Sequence, residues 1–195
     1  MDDANALVFF FDYIDPGSYL MHRQLQQLLP DGVEPHLHPL EVRPAPQELI
    51  DVMDPDWSAY GETVTGLARD DEIQFTHPTF VPWSAKAHEL RLHAADQGRG
   101  ADMHEEIFAV HFQEGGDIGR IDVLVAAAEK IGLDPSEAKA VLDIDKHHDR
   151  LWGLREQAQA AGVRRAPALR SGTMSLVGPA SKGELRHFLE NARFL

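Results

Sequence analysis

The 195-residue chain contains no cysteine. Disulfides, thiolate metal sites and thiol nucleophiles are all excluded together. Long apolar runs are missing too, since no stretch approaches the roughly 18 residues of a membrane span. Positive charge is scarce. Lys and Arg number 18 against 32 Asp and Glu, for a formal net charge of −14. A surface of that sign repels phosphate backbones and anionic lipid, so the sequence predicts no nucleic-acid partner and no membrane partner. The opening MDDANALVFFF lacks the positive region of a signal peptide, and a cytoplasmic protein is expected. There is no internal repeat, phosphate loop, dinucleotide fingerprint or Gly-x-Ser-x-Gly. Eleven histidines invite a metal. The densest group, His147 and His148 near Asp143, Asp145 and Asp149, places adjacent imidazoles about 100° apart on a helix. They do not easily share an ion, and no metal site is predicted.

What the chain does have is an ordinary globular composition, 43% hydrophobic and 26% charged. Its length suits one domain, or one domain with a large insertion. Leu7 to Tyr13 is a Phe-rich apolar run ending at Asp15-Pro16, which predicts a buried strand. Pro16 to Leu29 has helical apolar spacing and stops at Pro30-Asp31-Gly32. Val33 to Val42 alternates but contains Pro35 and Pro39, which predicts an edge strand. Residues 43–82 are rich in Pro, Asp and Thr, with Gln47–Met53 and Asp56–Arg69 as candidate helices. Five helical segments follow: Trp83–Gln97, Ala101–Gln113, Arg120–Ile131, Pro135–Leu142 and Lys146–Ala161. Asp134-Pro135-Ser136-Glu137 reads as a capping box. Ala166–Leu169 and Thr173–Val177 look like short strands, and Ser181-Lys182-Gly183-Glu184 caps a last helix, Glu184–Arg193.

The order is β-α-β, a helical block, then β-β-α. This predicts an α/β, thioredoxin-like fold with a large all-helical insertion between its βαβ and ββα halves. The expected parts are residues 1–45 and 160–195 for the thioredoxin-like domain and 46–159 for the inserted helices. The motifs agree. FDYIDPGSYL resembles the FD-aromatic-x-C-P-x-C-Y segment of DsbA-like oxidoreductases of the FrnE type. It equally resembles the FDF-x-S-P-x-S-Y segment of 2-hydroxychromene-2-carboxylate isomerases and kappa-class glutathione transferases. VPWSAKAH resembles the P-N-T-x-x-A-H opening of the inserted helices. FQEGGDIG resembles an F-x-E-G-x-D-I-G turn, and AGVRRAPA a G-V-x-G-V-P segment that supplies a cis-proline, here Pro167. The departures concern the chemistry: Asp15 stands where the oxidoreductases have Cys and the isomerases Ser, Ser18 takes the second position, Arg165 replaces a Gly, and Trp83 an Asn.

The resemblance implies a reactive group at Asp15, on a helix start whose free N–H groups favour negative charge. In the isomerase branch it implies a Ser hydroxyl donating to the sulfur of glutathione. An ionised Asp accepts only. A second anion about 4 Å away costs roughly 1 kcal/mol in water and several times more where water is excluded. Glutathione in the usual pose is therefore disfavoured, and no cofactor is assigned. Asp15 is either chiefly an N-cap or a carboxylate acting as base or ligand. Ser18, one turn on, is its candidate catalytic neighbour or a packing residue. Tyr13, Pro16, Trp83, Arg165, Ala166 and Pro167 are expected around a ligand. Arg164 and Arg165 either hold a carboxylate ligand or pair with Asp15 or Asp12. The resemblance places Ser181 where glutathione-using relatives hold a γ-glutamyl carboxylate, and helix capping is the alternative. His88 matches the family's A-H and is expected to pack near the cleft.

Two functions follow. One is an isomerase- or transferase-like enzyme acting on a small aromatic molecule in the cleft between thioredoxin core and helical insertion. The other is a redox-dead binding protein taking a peptide or small ligand at the cis-proline groove. Thiol–disulfide exchange is excluded. The three tryptophans Trp57, Trp83 and Trp152 leave room for a homodimer interface without selecting one.

Overall fold

The computed structural model describes residues 6–195. The opening Met1–Asn5, read above for a leader, lies outside them.

Leu7–Phe11 forms β1, and its pleat splits the apolar run between two faces. Leu7, Phe9 and Phe11 enter the main core. Phe10 and Val8 join a smaller cluster with Leu40, Ala158, Val163 and Ala168 on the other face. Covering both faces is why this strand carries apolar residues at successive positions rather than alternating ones. Asp15 caps α1 (Pro16–Leu28), with Pro16 in its first turn. The helix stops where Leu29 turns extended before Pro30, as the residue ahead of a proline must. The crossover leads into β2 (His36–Pro39), parallel to β1, with Phe10 opposite His38 and Phe11 opposite Pro39.

Six helices intervene before the chain returns to the sheet: α2 (Pro55–Asp70), α3 (Ala85–Asp96), α4 (Gly100–Phe112), α5 (Ile121–Lys130), α6 (Pro135–Asp143) and α7 (His148–Ala160). Then β3 (Ala168–Ser171) pairs antiparallel with β1, β4 (Met174–Val177) pairs with β3, and α8 (Lys182–Asn191) closes the chain. The strand order β2-β1-β3-β4 is the mixed sheet of a thioredoxin-like fold, here with a helical insertion between β2 and β3. Pro39 is tolerated because β2 is an edge.

The insertion shares the core of the sheet. Phe11 and Tyr13 pack against His88 of α3 and against His104 and Phe108 of α4, with ring centroids 4.5–6.1 Å apart. On the opposite face α7 covers β2, where His38 Nε2 meets the Leu154 carbonyl at 2.8 Å.

One expected helix is absent. Residues 47–53 are irregular, with a turn at 52–53 and Ile50 bridging antiparallel to Val81. The Asp51 carboxylate takes the Met53 N–H and Asp54 caps α2, so the local polar side chains compete with helical bonding over a segment too short to nucleate. The last helix begins at Lys182, two residues before expectation, because Ser181 is its N-cap.

Candidate functional site

Asp15 sits at the turn from β1 into α1, and only 1% of its surface is exposed. Both carboxylate oxygens are engaged. Oδ2 accepts the Ser18 N–H at 2.7 Å and the Ser18 hydroxyl at 2.5 Å. Oδ1 accepts the Tyr60 hydroxyl at 2.8 Å. The first is the N-cap bond, the second ties the Ser18 side chain to the same oxygen, and the third comes from α2, 45 residues away. Burial pushes the Asp15 carboxyl up to about 7, against the three hydrogen bonds, which favour the anion; the charge of Asp12 adds to the rise. Near neutral pH it is poised between its two forms. This corrects the expectation of a fixed negative charge at the helix mouth.

Tyr60 was invisible in the sequence. Its phenol is pushed well above the usual range, first by burial and then by the Asp15 charge, so it stays a neutral O–H. The hydroxyl lies directly over Gly17. A methyl on Gly17 would overlap it and would also stand 3.0 Å from Cδ of Pro167. Glycine here permits a close approach of three elements: the first turn of α1, the loop before β3, and α2. The Ala166–Pro167 bond is cis.

These residues border a cleft of about 1070 Å³ between the sheet end and the helices. Asp15 and Tyr60 line it, with Trp57, Leu40 and Ile50 as apolar wall. Arg43, Arg164 and Arg165 also line it, and none has a hydrogen-bond or ion-pair partner among the described residues. The expected pairing of Arg164 and Arg165 with Asp15 or Asp12 does not form. Asp15 is saturated as above. Asp12 is buried and accepts the Val42 N–H at 2.5 Å through Oδ2, while its Oδ1 lies 3.0 Å from His88 Nε2. Glu41, next to Val42 in the cleft wall, has its Oε1 enclosed and without a partner among the described residues. Burial raises its carboxyl above the usual range, opposed in part by His88.

Of the expected site residues, Asp15, Arg165 and Ala166 come together in the cleft. Pro167 lies buried beside them against Gly17. Ser18 is fully buried, donating to Asp15 and accepting the Asp12 N–H at 3.2 Å. Pro16 borders a separate, smaller pocket with Trp57, Phe75 and His77. Three are elsewhere. Tyr13 turns inward from the strand end, fully buried, with its hydroxyl 3.0 Å from His104 Nδ1. Trp83 is 41% exposed in another groove, where its indole N–H donates to the Gln47 carbonyl at 3.0 Å. Ser181 completes a capping box with Glu184, donating its hydroxyl to that carboxylate at 2.7 Å. His88 braces Asp12 from α3 within the core. Sequence reasoning missed Tyr60, Arg43 and Glu41. Only the amphipathic face of α2 hinted at Tyr60, and nothing local marks the other two. Among the described residues no three His, Asp or Glu side chains form a potential metal site, and no helix is long and apolar enough to cross a membrane.

Fold and site together define a thioredoxin-like protein whose first helix starts on a buried carboxylate. The chain belongs to the DSBA-like thioredoxin domain family, whose model matches residues 6–189. It is 26% identical over 179 residues to "Uncharacterized protein YwbO" of Bacillus subtilis (strain 168), covering 89% of this chain and 90% of that one. The fold is similar to a probable DsbA oxidoreductase, SCO1869, of Streptomyces coelicolor, with a TM-score of 0.79, 18% identity, and coverage of 96% of this chain and 89% of that one. It is also similar to a 2-hydroxychromene-2-carboxylate isomerase, with a TM-score of 0.76, 19% identity, and coverage of 96% and 94%. A third is the cytosolic disulfide reductase DsbM of Pseudomonas aeruginosa, solved with GSH, with a TM-score of 0.63, 19% identity, and coverage of 97% and 100%. At these identities the likeness is one of fold. The zero cysteine count separates this chain from thiol–disulfide chemistry whatever its relatives do.

Proposed function

We propose that the chain acts on a small aromatic molecule in the cleft between thioredoxin core and inserted helices, by proton transfer rather than redox exchange. The observation that carries this reading is the Asp15–Tyr60 pair. A carboxyl poised near neutrality is suited to both accept and return a proton, since general acid–base catalysis works best with a group titrating near the working pH. Tyr60 gives it a hydrogen-bonded relay toward the cleft. Asp15 would be the base and Tyr60 the group that orients it. This is an isomerase-like role, parallel to the isomerase among the structures of similar fold. Glutathione in the isomerase-type pose is disfavoured on two counts: both Asp15 oxygens are already engaged, and the Tyr60 hydroxyl fills the space over Gly17. The protein is expected to work in the cytoplasm.

The test is a panel of enolisable aromatic carbonyl compounds in D₂O, with proton NMR reading exchange of their acidic C–H. Exchange should be accelerated with an inflection near pH 7, be lost in Asp15→Asn and fall in Tyr60→Phe. Equal exchange by wild type and Asp15→Asn across the panel overturns the catalytic reading. The remaining reading is then a non-catalytic binding protein. One observation favours it specifically: Ala166 lines the cleft with its backbone N–H and C=O outside any backbone hydrogen bond among the described residues, open to an extended ligand.

A further inference from the structure

We infer that the ligand of this cleft is an organic acid: its carboxylate is held by Arg164 and Arg165, with Arg43 beside them, and a hydrogen-bond donor on the same molecule meets Glu41. The inference rests on the proposed use of the cleft and names the class of molecule that enters it.

Three guanidinium groups without partners gather at one cleft of a protein of net charge −14. Acidic side chains are plentiful, and seven of the other fifteen Lys and Arg side chains pair with one. Arg23 pairs with Glu105, Arg99 with Asp102, Arg120 with Asp122 and Arg150 with Asp96. What distinguishes these three is their position: they come from separate segments, residue 43 after β2 and residues 164 and 165 before β3, yet border one cleft. The planar fork of guanidinium matches a carboxylate bidentately and binds it more firmly than a lysine would. The carboxylates nearest in the chain fold do not neutralise the arginines. Asp12 and Asp15 are occupied, and Asp51 and Asp54 are turned to backbone N–H groups of their own turns. Glu48 and Asp56 also line the cleft, and their charge repels a dianion and favours a ligand with a single acidic group and a donor elsewhere.

Glu41 supplies the second, independent observation. Its enclosed Oε1 lacks a partner, although Arg155 stands near enough to bond the Glu41 backbone carbonyl at 3.5 Å. An enclosed carboxyl oxygen without a donor is unfavourable, and a donor delivered by the ligand removes the penalty. That donor is a hydroxyl or an ammonium. Trp57 and Ile50 supply apolar wall for the body of the molecule.

The experiment uses the full chain labelled with ¹⁵N and follows Arg Nε–Hε signals during titration with 3-hydroxybenzoate, 3-(aminomethyl)benzoate, benzoate and 3-hydroxybenzamide. Both donor-bearing acids should shift the Arg164 and Arg165 signals, and the amide should not. Arg164→Ala with Arg165→Ala should lower affinity for the acids by about tenfold to a hundredfold, the worth of hydrogen bonds to a charged group, and leave the amide unaffected. These two side chains are exposed, so the variant is expected to fold. Affinity should also fall with added salt. Glu41→Gln should weaken the ammonium acid more than the hydroxy acid, which tells the two donors apart. Binding of the amide equal to that of the acids, or no arginine shift with any acid, overturns the carboxylate assignment. Benzoate binding as tightly as both donor-bearing acids overturns the part played by Glu41. Failure of the proton-transfer reading shows differently: the acids shift the arginines while no compound exchanges its C–H.

Discussion

Replacing Asp15 by Asn separates the two forces acting on this carboxyl. Burial disfavours the anion, while three donors favour it: the Ser18 N–H, the Ser18 hydroxyl and the Tyr60 hydroxyl. Burial wins and carries the group from 3.8 to about 7. The folded state therefore binds the proton more tightly than the unfolded chain. The stability this contributes is complete below the unfolded value and is lost as pH rises through the folded one. At 1.36 kcal/mol per pH unit, the distance between 3.8 and about 7 corresponds to at most about 4 kcal/mol. Asn copies the protonated acid. Its carbonyl can accept from Ser18, and its amide can donate to the Tyr60 oxygen. The variant should therefore lack this pH dependence. The difference in unfolding free energy, wild type minus Asp15→Asn, should fall by several kcal/mol between pH 4 and 8, or about 10 °C in Tm for a chain of this length. Urea denaturation at half-unit pH steps measures it. Taking the difference matters because burial also lowers His104 and His111, whose folded states resist protonation. Their contributions run the other way, lost as pH falls below the unfolded value, and cancel between the two proteins. A flat difference, or one that rises with pH, would show that the hydrogen bonds win. Asp15 would then be a permanent anion and the proton-transfer reading would fail.

Two further substitutions test the packing around the site. Gly17→Ala should cost about 1–3 kcal/mol, because the new methyl meets the Tyr60 hydroxyl. In a Tyr60→Phe background the cost should fall, leaving only the tight approach to Pro167 Cδ; equal costs in both backgrounds in a urea-melt cycle would refute the contact. Asp12→Ala should cost about 3–5 kcal/mol, because it strands both His88 and the Val42 N–H in the interior; a loss below 1 kcal/mol by the same assay would mean that water reaches the pair.

The elements that the sequence marks clearly are those whose signals are local. The Asp-Pro starts of α1, α2 and α6 are each a cap plus a residue that needs no N–H donor, and all three open helices. Phe-rich β1 and edge strand β2 follow from patterning and proline placement. The site is only half legible for the converse reason. Asp15 is found because it stands at a motif position, and Arg165 because it departs from one. Tyr60 is an unremarkable aromatic on an amphipathic helix until the fold carries it 45 residues back to Asp15. Tyr13, in the turn after β1, and Trp83, in the irregular stretch before α3, fail as cleft residues because no element's periodicity sets where their side chains point. The first faces His104 and the second reaches Gln47.

The same geometry explains how the scaffold can do without sulfur. A thioredoxin-like fold holds its reactive position at a helix start, where an anion is favoured, and encloses it between the first strand, a proline loop and the inserted helices. In this chain an ionisable oxygen stands at that position. Enclosure raises its pKa, and the helix start with its two hydroxyl partners holds the anion within reach. The opposing effects leave a group that titrates near neutrality, whereas either alone would fix it in one form. Ser18 is the residue that keeps this balance. It supplies two of the three bonds to Asp15 and also accepts the Asp12 N–H, tying the poised carboxyl to the buried Asp12–His88 brace. Ser18 is thus the structural support of Asp15, and the proposed proton transfer depends on that support.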